Sequence, residues 1–158
     1  MTYLHEIMLD DTDRRILRQM QAAPDLALAD LADRAGVTPA TLSRRLERMR
    51  EGGVLLGKRA EINWPALGYA VEVSLRITLD KTQGNAFDSF IAAARDVPEV
   101  IEIQTFLGQV DARLSVIARD IPHYQQIYRD RILTLPHLAD IEALMHVARI
   151  KDDEALPV

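Results

Sequence analysis

The spacing of apolar residues changes once along this chain, and that change dictates two folding units. Ahead of residue 63 the apolar positions recur three and four apart. Ile16, Leu17 and Met20 form one such set, Leu28, Leu31, Ala32 and Ala35 a second, and Leu42, Leu46 and Met49 a third. Each set lines one face of a short helix. After residue 70 the apolar residues alternate instead: Val71, Val73, Leu75, Ile77 and Leu79 are interleaved with Glu72, Ser74, Arg76 and Thr78, the mark of a half-buried strand. Between the two regimes NWPALGY (63–69) obeys neither period and holds one Pro and one Gly, so the boundary is expected there, with Trp64 as a hinge packing residue. The expected organisation is a helical domain over 1–62, a linker over 63–70, a second domain over 71–150 and a loose, charged tail over 151–158. Residues 1–8 show no period and are expected to fray.

In the first domain Asp10 is placed to cap a helix whose first turn carries Asp11 and Asp13, and Ala22-Ala23-Pro24 closes it. A second helix over about 28–35 stops at Gly36. Thr38-Pro39 starts a third over 39–51, because Pro suits the first helical position and Thr caps free N–H groups. Gly52 and Gly53 end it with left-handed geometry. Two short helices joined by a tight glycine turn make a helix-turn-helix. Opposite the apolar stripe of the third helix lie Ala40, Thr41, Arg44 and Arg48, with Ser43 and Arg45 on the flanks. Hydroxyls and guanidinium groups on such a face suit base edges and phosphates of duplex DNA. The plainer alternative for the arginines alone is a solvated surface. VLLGKRAEI (54–62) then reads as extended structure bending at Gly57-Lys58-Arg59. It is either the wing of a winged domain, with Lys58 and Arg59 on the phosphate backbone, or an ordinary charged turn.

The second domain reads βαββαβ. After the strand at 71–79, Phe87, Phe90, Ile91 and Ala94 repeat at helical spacing. Val100–Leu107 forms the second strand and Gly108–Asp111 a tight connection. Ala112, Leu114, Val116 and Ala118 mark the third strand, Tyr124, Ile127, Tyr128 and Ile132 another helix, and Ile141–Ile150 the fourth strand. VPEV (97–100) and LPHL (135–138) occupy equivalent turns, so the two halves echo each other in a ferredoxin-like arrangement. Both helices fall on one face of the sheet. The other is expected to expose Glu72, Ser74, Arg76, Thr78, Arg113 and Ser115, with Ile117, Glu142, Leu144 and His146 among them. The fold class is α+β.

Charge divides along the same boundary. The formal net charge is −5, but the first 62 residues are balanced and the excess of acid lies beyond them. Between 38 and 59, Arg44, Arg45, Arg48, Arg50, Lys58 and Arg59 face only Glu47 and Glu51. The basic field is therefore local, and the acidic half disfavours non-specific DNA. With no cysteine there are no disulfides, thiolate metal sites or cysteine nucleophiles. No apolar run can cross a bilayer, and MTYLHEIM lacks a signal-peptide core, so a cytoplasmic protein is expected.

Four stretches, LDDTDRRIL (9–17), DLADRAGVTPATLSRRLERMREGGVL (30–55), Ala66-Leu67-Gly68 and GQVD (108–111), together with the order of elements, make the chain resemble the Lrp/AsnC family of transcription regulators over about residues 9–150. The resemblance implies a winged helix-turn-helix joined to a ferredoxin-like (RAM) domain. It implies that Thr38, Thr41, Ser43, Arg44, Arg45 and Arg48 contact double-stranded DNA. It implies homodimers that assemble to octamers, and a small effector, an amino acid or related metabolite, bound between subunits. That site would draw on Leu107, Gly108, Gln109 and Asp111, with Ile141 and Ala143 on the last strand. The family often has Thr before the loop glycine and Thr-x-Thr on that strand. Leu107, Ile141 and Ala143 lack those hydroxyls, which points to a less polar effector, a different binding mode or none. Where the family prefers a capping Ser, this chain has Ala27, and Asp25 is expected to cap the second helix instead.

No catalytic residue, metal site or cofactor is expected. Two other functions fit the architecture: an enzyme resembling siroheme decarboxylases, and an architectural DNA-binding protein without effector. The first would need histidines, and His123 and His137 fall in expected turns while His146 lies on the open sheet face. No nucleophile, phosphate loop or metal spacing accompanies them.

Overall fold

The computed structural model describes residues 7–151 and 155–158. The fraying expected of the N-terminus and the looseness expected of the tail lie partly outside the described residues. Contacts divide the chain into two compact units. One joins the described residues through Glu61 to those of the C-terminal tail, and the other is Ile62–Ile150.

The first unit holds three helices, α1 (Asp11–Ala22), α2 (Leu28–Ala35) and α3 (Pro39–Glu51). Asp10 and Asp13 close a reciprocal cap on α1: Asp13 N–H donates to Asp10 Oδ1 at 2.9 Å and Asp10 N–H to Asp13 Oδ2 at 3.1 Å. The expectation for α2 needs correction. Its N-cap is Ala27, with no side-chain bond, and Asp25 does not replace it. Its other end is well held. Gly36 turns the chain at φ 66°, Val37 N–H donates to Ala32 O at 3.0 Å, and Arg15 Nε donates to Ala35 O at 2.6 Å. At the start of α3, Thr38 Oγ1 accepts from Thr41 N–H at 3.2 Å. The left-handed residue beyond α3 is Gly53 (φ 71°) and not Gly52 (φ −83°). At Gly52 the end of the Ile7 side chain packs where a Cβ would stand.

Ile16, Leu31, Ala32, Ala35, Leu42, Leu46 and Met49 form the core of this unit, with Leu9, Leu17, Leu26, Val37 and Leu55 packed against it. The strand pair expected in 54–62 does not form. Val54 and Leu55 N–H both donate to Met49 O, which ties the segment to the end of α3. Beyond them Leu56 is 94 % exposed, so nothing apolar anchors a ribbon that is marginal by itself. The tail is also tied: Gln21 Nε2 donates to Leu156 O at 3.2 Å, and Leu156 N–H donates back to Gln21 Oε1.

In the second unit a short 3-10 turn (Pro65–Leu67) precedes β1 (Val71–Leu79), α4 (Ala86–Arg95), β2 (Val100–Thr105), β3 (Ala112–Ala118), α5 (Ile121–Ile127) and β4 (Leu138–Met145). A π-helical turn, Tyr128–Ile132, continues α5. The strands form one antiparallel sheet in the order β2-β3-β1-β4, the ferredoxin-like βαββαβ topology. Val73, Leu75, Ile77, Leu79, Leu114 and Val116 face Phe90, Ala94, Tyr124, Ile127 and Ile132 in a single core. Val97 and Leu135, from the two echoing turns, are both buried in it.

Five boundaries or faces differ from the sequence reading. Ser74 and Ser115, expected to be exposed on the open sheet face, are buried. β2 stops at Thr105, where Phe106 N–H turns to Asp111 O. β4 runs over 138–145 rather than 141–150, because its register is set by β1, whose last residue, Leu79, pairs with Leu138. His123 sits in the first turn of α5 rather than in a connection. Phe87 is 42 % exposed, while Ala86, Phe90 and Ala94 carry the buried face of α4.

This packing predicts unequal costs for the two α4 phenylalanines. Phe90→Ala leaves a cavity in a fully buried site and should cost about 3–5 kcal/mol. Phe87→Ala should stay within about 0.5 kcal/mol of wild type. Urea unfolding followed by circular dichroism checks both, and equal midpoints would contradict the assigned face.

Candidate DNA interface and effector loop

On α3 the core-facing stripe is Leu42, Leu46 and Met49, all buried. That orientation leaves Ala40, Ser43, Arg44 and Glu47 exposed along the outer face. Arg44 and Arg50 have neither ion-pair nor hydrogen-bond partners among the described residues. Thr38 and Thr41 are linked to each other, Thr38 Oγ1 donating to Thr41 Oγ1 at 2.9 Å.

The other two arginines are held from behind. Arg45 Nη1 lies 2.7 Å from Asp10 Oδ2 and 2.9 Å from Asp13 Oδ1. Arg48 Nη2 pairs with the other oxygen of Asp13. Asp13 is fully buried, so its charge is balanced by two guanidinium groups and by the N–H of Asp10. The Arg45 side chain is only 22 % exposed, whereas Arg48 is 47 % exposed. The hydrogen bond from Arg45, then the N–H of Asp13, hold the Asp10 carboxyl down at about 2, and the same two acids push Arg45 further up. Arg45 thus joins α3 to the start of α1, and Arg48 does so with one end while keeping partial access to solvent. The sequence reading placed Arg48 on the outer face and missed Asp13 as its partner. The Asp10 cap was visible in the spacing, but its reciprocal bond with Asp13 and the pairing with Arg45 and Arg48 were not. Of the two basic residues after α3, Lys58 Nζ donates to Pro24 O at 2.6 Å, and Arg59 has no partner among the described residues.

In the second unit the loop between β2 and β3 and the strand β4 flank the C-terminal end of β1. Ile77 pairs with Ala112 on one side and with Ile141 on the other. Leu107 is wholly exposed, and Gly108 and Gln109 are exposed too. Ile141 and Ala143 lie on the helix-facing side of β4, opposite Ile77 and Leu75, and Ile141 packs against the core. Asp111 is different. It is 5 % exposed, accepts from Leu79 N–H at 2.9 Å through Oδ2, and lies 2.6 Å from Lys81 Nζ through Oδ1. Burial raises its pKa, but the Leu79 N–H and the Lys81 ammonium outweigh that, and the net shift is downward. Its own N–H donates to Ile77 O at 2.9 Å, and Thr78 Oγ1 donates to Gln109 O at 3.3 Å. Lys81 carried no signal in the sequence beyond its position just past a strand.

The sheet face away from the helices carries ion pairs. Arg113 meets Glu102 at 2.8 Å and Arg76 meets Glu142 at 3.2 Å. Glu72 accepts from Ser115 Oγ at 3.2 Å and from Arg149 at 3.0 Å, with His146 Nδ1 at 3.4 Å. Leu144, which pairs with Ser74, adds exposed apolar surface beside them.

A helix-turn-helix with a cationic outer face, followed by a ferredoxin-like sheet unit, defines a DNA-binding transcription regulator of two-unit design. Comparison with known proteins agrees. Residues 9–55 match the winged helix-turn-helix DNA-binding family and residues 72–156 the Lrp/AsnC ligand binding domain. The proline dehydrogenase transcriptional activator of Rhodobacter capsulatus is 33 % identical over 132 residues, 84 % of this chain and 86 % of that one. The regulator Zrp of Zymomonas mobilis is 30 % identical over 152 residues, covering 95 % and 97 %. An AsnC family regulator from Agrobacterium tumefaciens superposes with a TM-score of 0.84 at 30 % identity, covering 94 % and 97 %. The chain belongs to the Lrp/AsnC family of transcription regulators.

The geometry separates neighbouring arginines. Arg44→Ala should leave the melting temperature unchanged, weaken binding to a DNA fragment selected by the wild-type protein by about 1–3 kcal/mol, and lower the salt slope by about 1. Arg45→Ala leaves Asp13 short of a partner and should lower the melting temperature. Calorimetric melting and fluorescence anisotropy at several salt concentrations read both effects. Because the Asp10 pKa is depressed, its contribution is present above the usual carboxylate value and is lost as pH falls from about 4 towards about 2. Arg45→Ala should flatten that part of the pH–stability curve.

Proposed function

We propose that this regulator reads operator DNA with the exposed face of α3, using Ala40, Ser43 and Arg44, with Thr38, Thr41 and the free side of Arg48 at its margin. Arg45 serves as the strut behind that face, and Lys58 and Arg59 lie at the backbone edge of the contact. The single observation that carries this reading is the division of the α3 arginines between paired and unpaired states. A helix whose inner cations are satisfied by its own fold can offer the outer ones to phosphates without rearranging.

The reader acts as a dimer, placing two copies of α3 in successive major grooves about one helical turn apart. The charged sheet face, with Leu144 beside its ion pairs, suits a surface where copies meet, and dimers assemble further towards an octamer. An amino acid or related metabolite binds at the loop of Leu107, Gly108 and Gln109, beside Asp111, Ile141 and Ala143, and shifts that assembly through its differential affinity for two forms. The protein works on DNA in the cytoplasm and has no catalytic role. The three histidines of the second unit serve the fold: His123 Nδ1 accepts from Arg119 N–H at 3.1 Å, the carbonyl of His137 accepts from Asp80 N–H at 2.8 Å, and His146 Nδ1 lies 3.4 Å from Glu72.

A thermal-shift screen of the standard amino acids tests the effector. One that binds should stabilise the folded protein by about 2.7 kcal/mol at a hundred times its Kd. The same compound should alter the footprint on selected DNA and the sedimentation coefficient. A protein that sediments as a monomer, with a footprint indifferent to every amino acid, would refute the reading.

A further inference from the structure

The effector loop is unevenly furnished, and the asymmetry bears on which end of a ligand it takes. Its acceptors are engaged. Asp111 meets Leu79 N–H and Lys81 Nζ through separate oxygens, at 2.9 and 2.6 Å, and its carbonyl accepts from Phe106 N–H at 3.0 Å. The carbonyl of Gln109 accepts from Thr78 Oγ1 at 3.3 Å. Its donors are not engaged: the N–H groups of Leu107, Gly108, Gln109 and Val110 donate to no group among the described residues. Beside them Lys81 is 64 % exposed, so its ammonium, with three N–H groups, can meet a neighbour while one stays on Asp111. A ligand ammonium reaching Asp111 would have to displace Lys81 and then sit beside it, cation against cation. A ligand carboxylate meets free amide donors and an ammonium, an arrangement that forms charge-assisted bonds. Phe106, 46 % exposed, and Leu107, wholly exposed, offer apolar surface to the rest of the molecule.

We infer that this loop recognises the carboxylate of an acid with an apolar body, with Lys81 as a specificity-determining residue, and that an α-amino group is not required. The inference rests on the effector reading above and names the class of ligand within it: 2-oxo acids qualify alongside amino acids.

Titration calorimetry of the full chain with matched compounds tests it. The probes are L-leucine, 4-methyl-2-oxopentanoate and isoamylamine, then L-phenylalanine, phenylpyruvate and phenethylamine. In the series that binds, the oxo acid should stay within about tenfold of the amino acid, and the amine should lose at least about a hundredfold. Lys81→Met, at an exposed position, should weaken both acids about tenfold, with an unchanged circular dichroism spectrum. Asp111→Asn should retain or tighten acid binding, since it frees Lys81. An amino acid that binds while its oxo acid does not, an amine that binds, or Lys81→Met with full affinity each overturns the inference and leaves the effector reading standing. If no compound of either series binds and the amino-acid screen is also blank, the effector reading falls and the inference falls with it.

Discussion

The buried carboxylate of Asp13 is the interaction on which the placement of the reading helix depends. A fully buried acid is tolerable only if its charge is met, and here two arginines from α3 and one backbone N–H meet it. Removing one partner of such a buried pair typically costs about 3–5 kcal/mol, because the remaining charge cannot reach water. The apolar stripe of α3 would accept some rotation about the helix axis. The two guanidinium groups, each bound to its own oxygen of one carboxylate, do not. The polar pair therefore supplies the register that Leu42, Leu46 and Met49 leave loose, and it decides which cations remain for DNA.

Asp111 does comparable work in the second unit. It pins the end of β1 through Leu79 N–H and the start of β3 through its own N–H to Ile77, and Lys81 neutralises it from outside. In both units, then, a buried acid holds the frame on which function rests. What it leaves free on the neighbouring surface is a set of donors: guanidinium groups on α3, backbone amides and an ammonium at the loop. Both candidate sites are consequently suited to anions, the first to phosphates and the second to a carboxylate. The molecule as a whole is nonetheless acidic, so the local arrangement governs recognition and the net charge does not.

Much of the architecture was legible because it follows from periodicity and local chemistry. The helix bounds at 28–35 and 39–51, the Thr38 cap, the Gly36 turn and the strand at 71–79 all depend on neighbours within a few residues. Less legible was anything that requires distant partners. β4 was read three residues late at its start and five late at its end, because its extent depends on where β1 offers a ladder. The segment at 54–62 read either as a wing or as a charged turn, and a ribbon needs an apolar anchor that the exposed Leu56 does not give. Phe87 fits a helical stripe as well as Phe90 does, and only the position of the sheet chooses between them. At the sites, a helical wheel puts Arg48 on the outer face and Arg45 on its flank, yet both meet Asp13, and Lys81 looks like any lysine in a turn.

From its sequence alone this protein is determined to be a helix-turn-helix followed by a βαββαβ sheet, because apolar period, glycine turns and capping residues act over short range. Which arginines of α3 are already paired, and that Asp111 is occupied, only the tertiary structure decided. The physical reason is that a charge is available to a partner only after the fold has failed to satisfy it, and Asp10 and Asp13 lie more than thirty residues from Arg45.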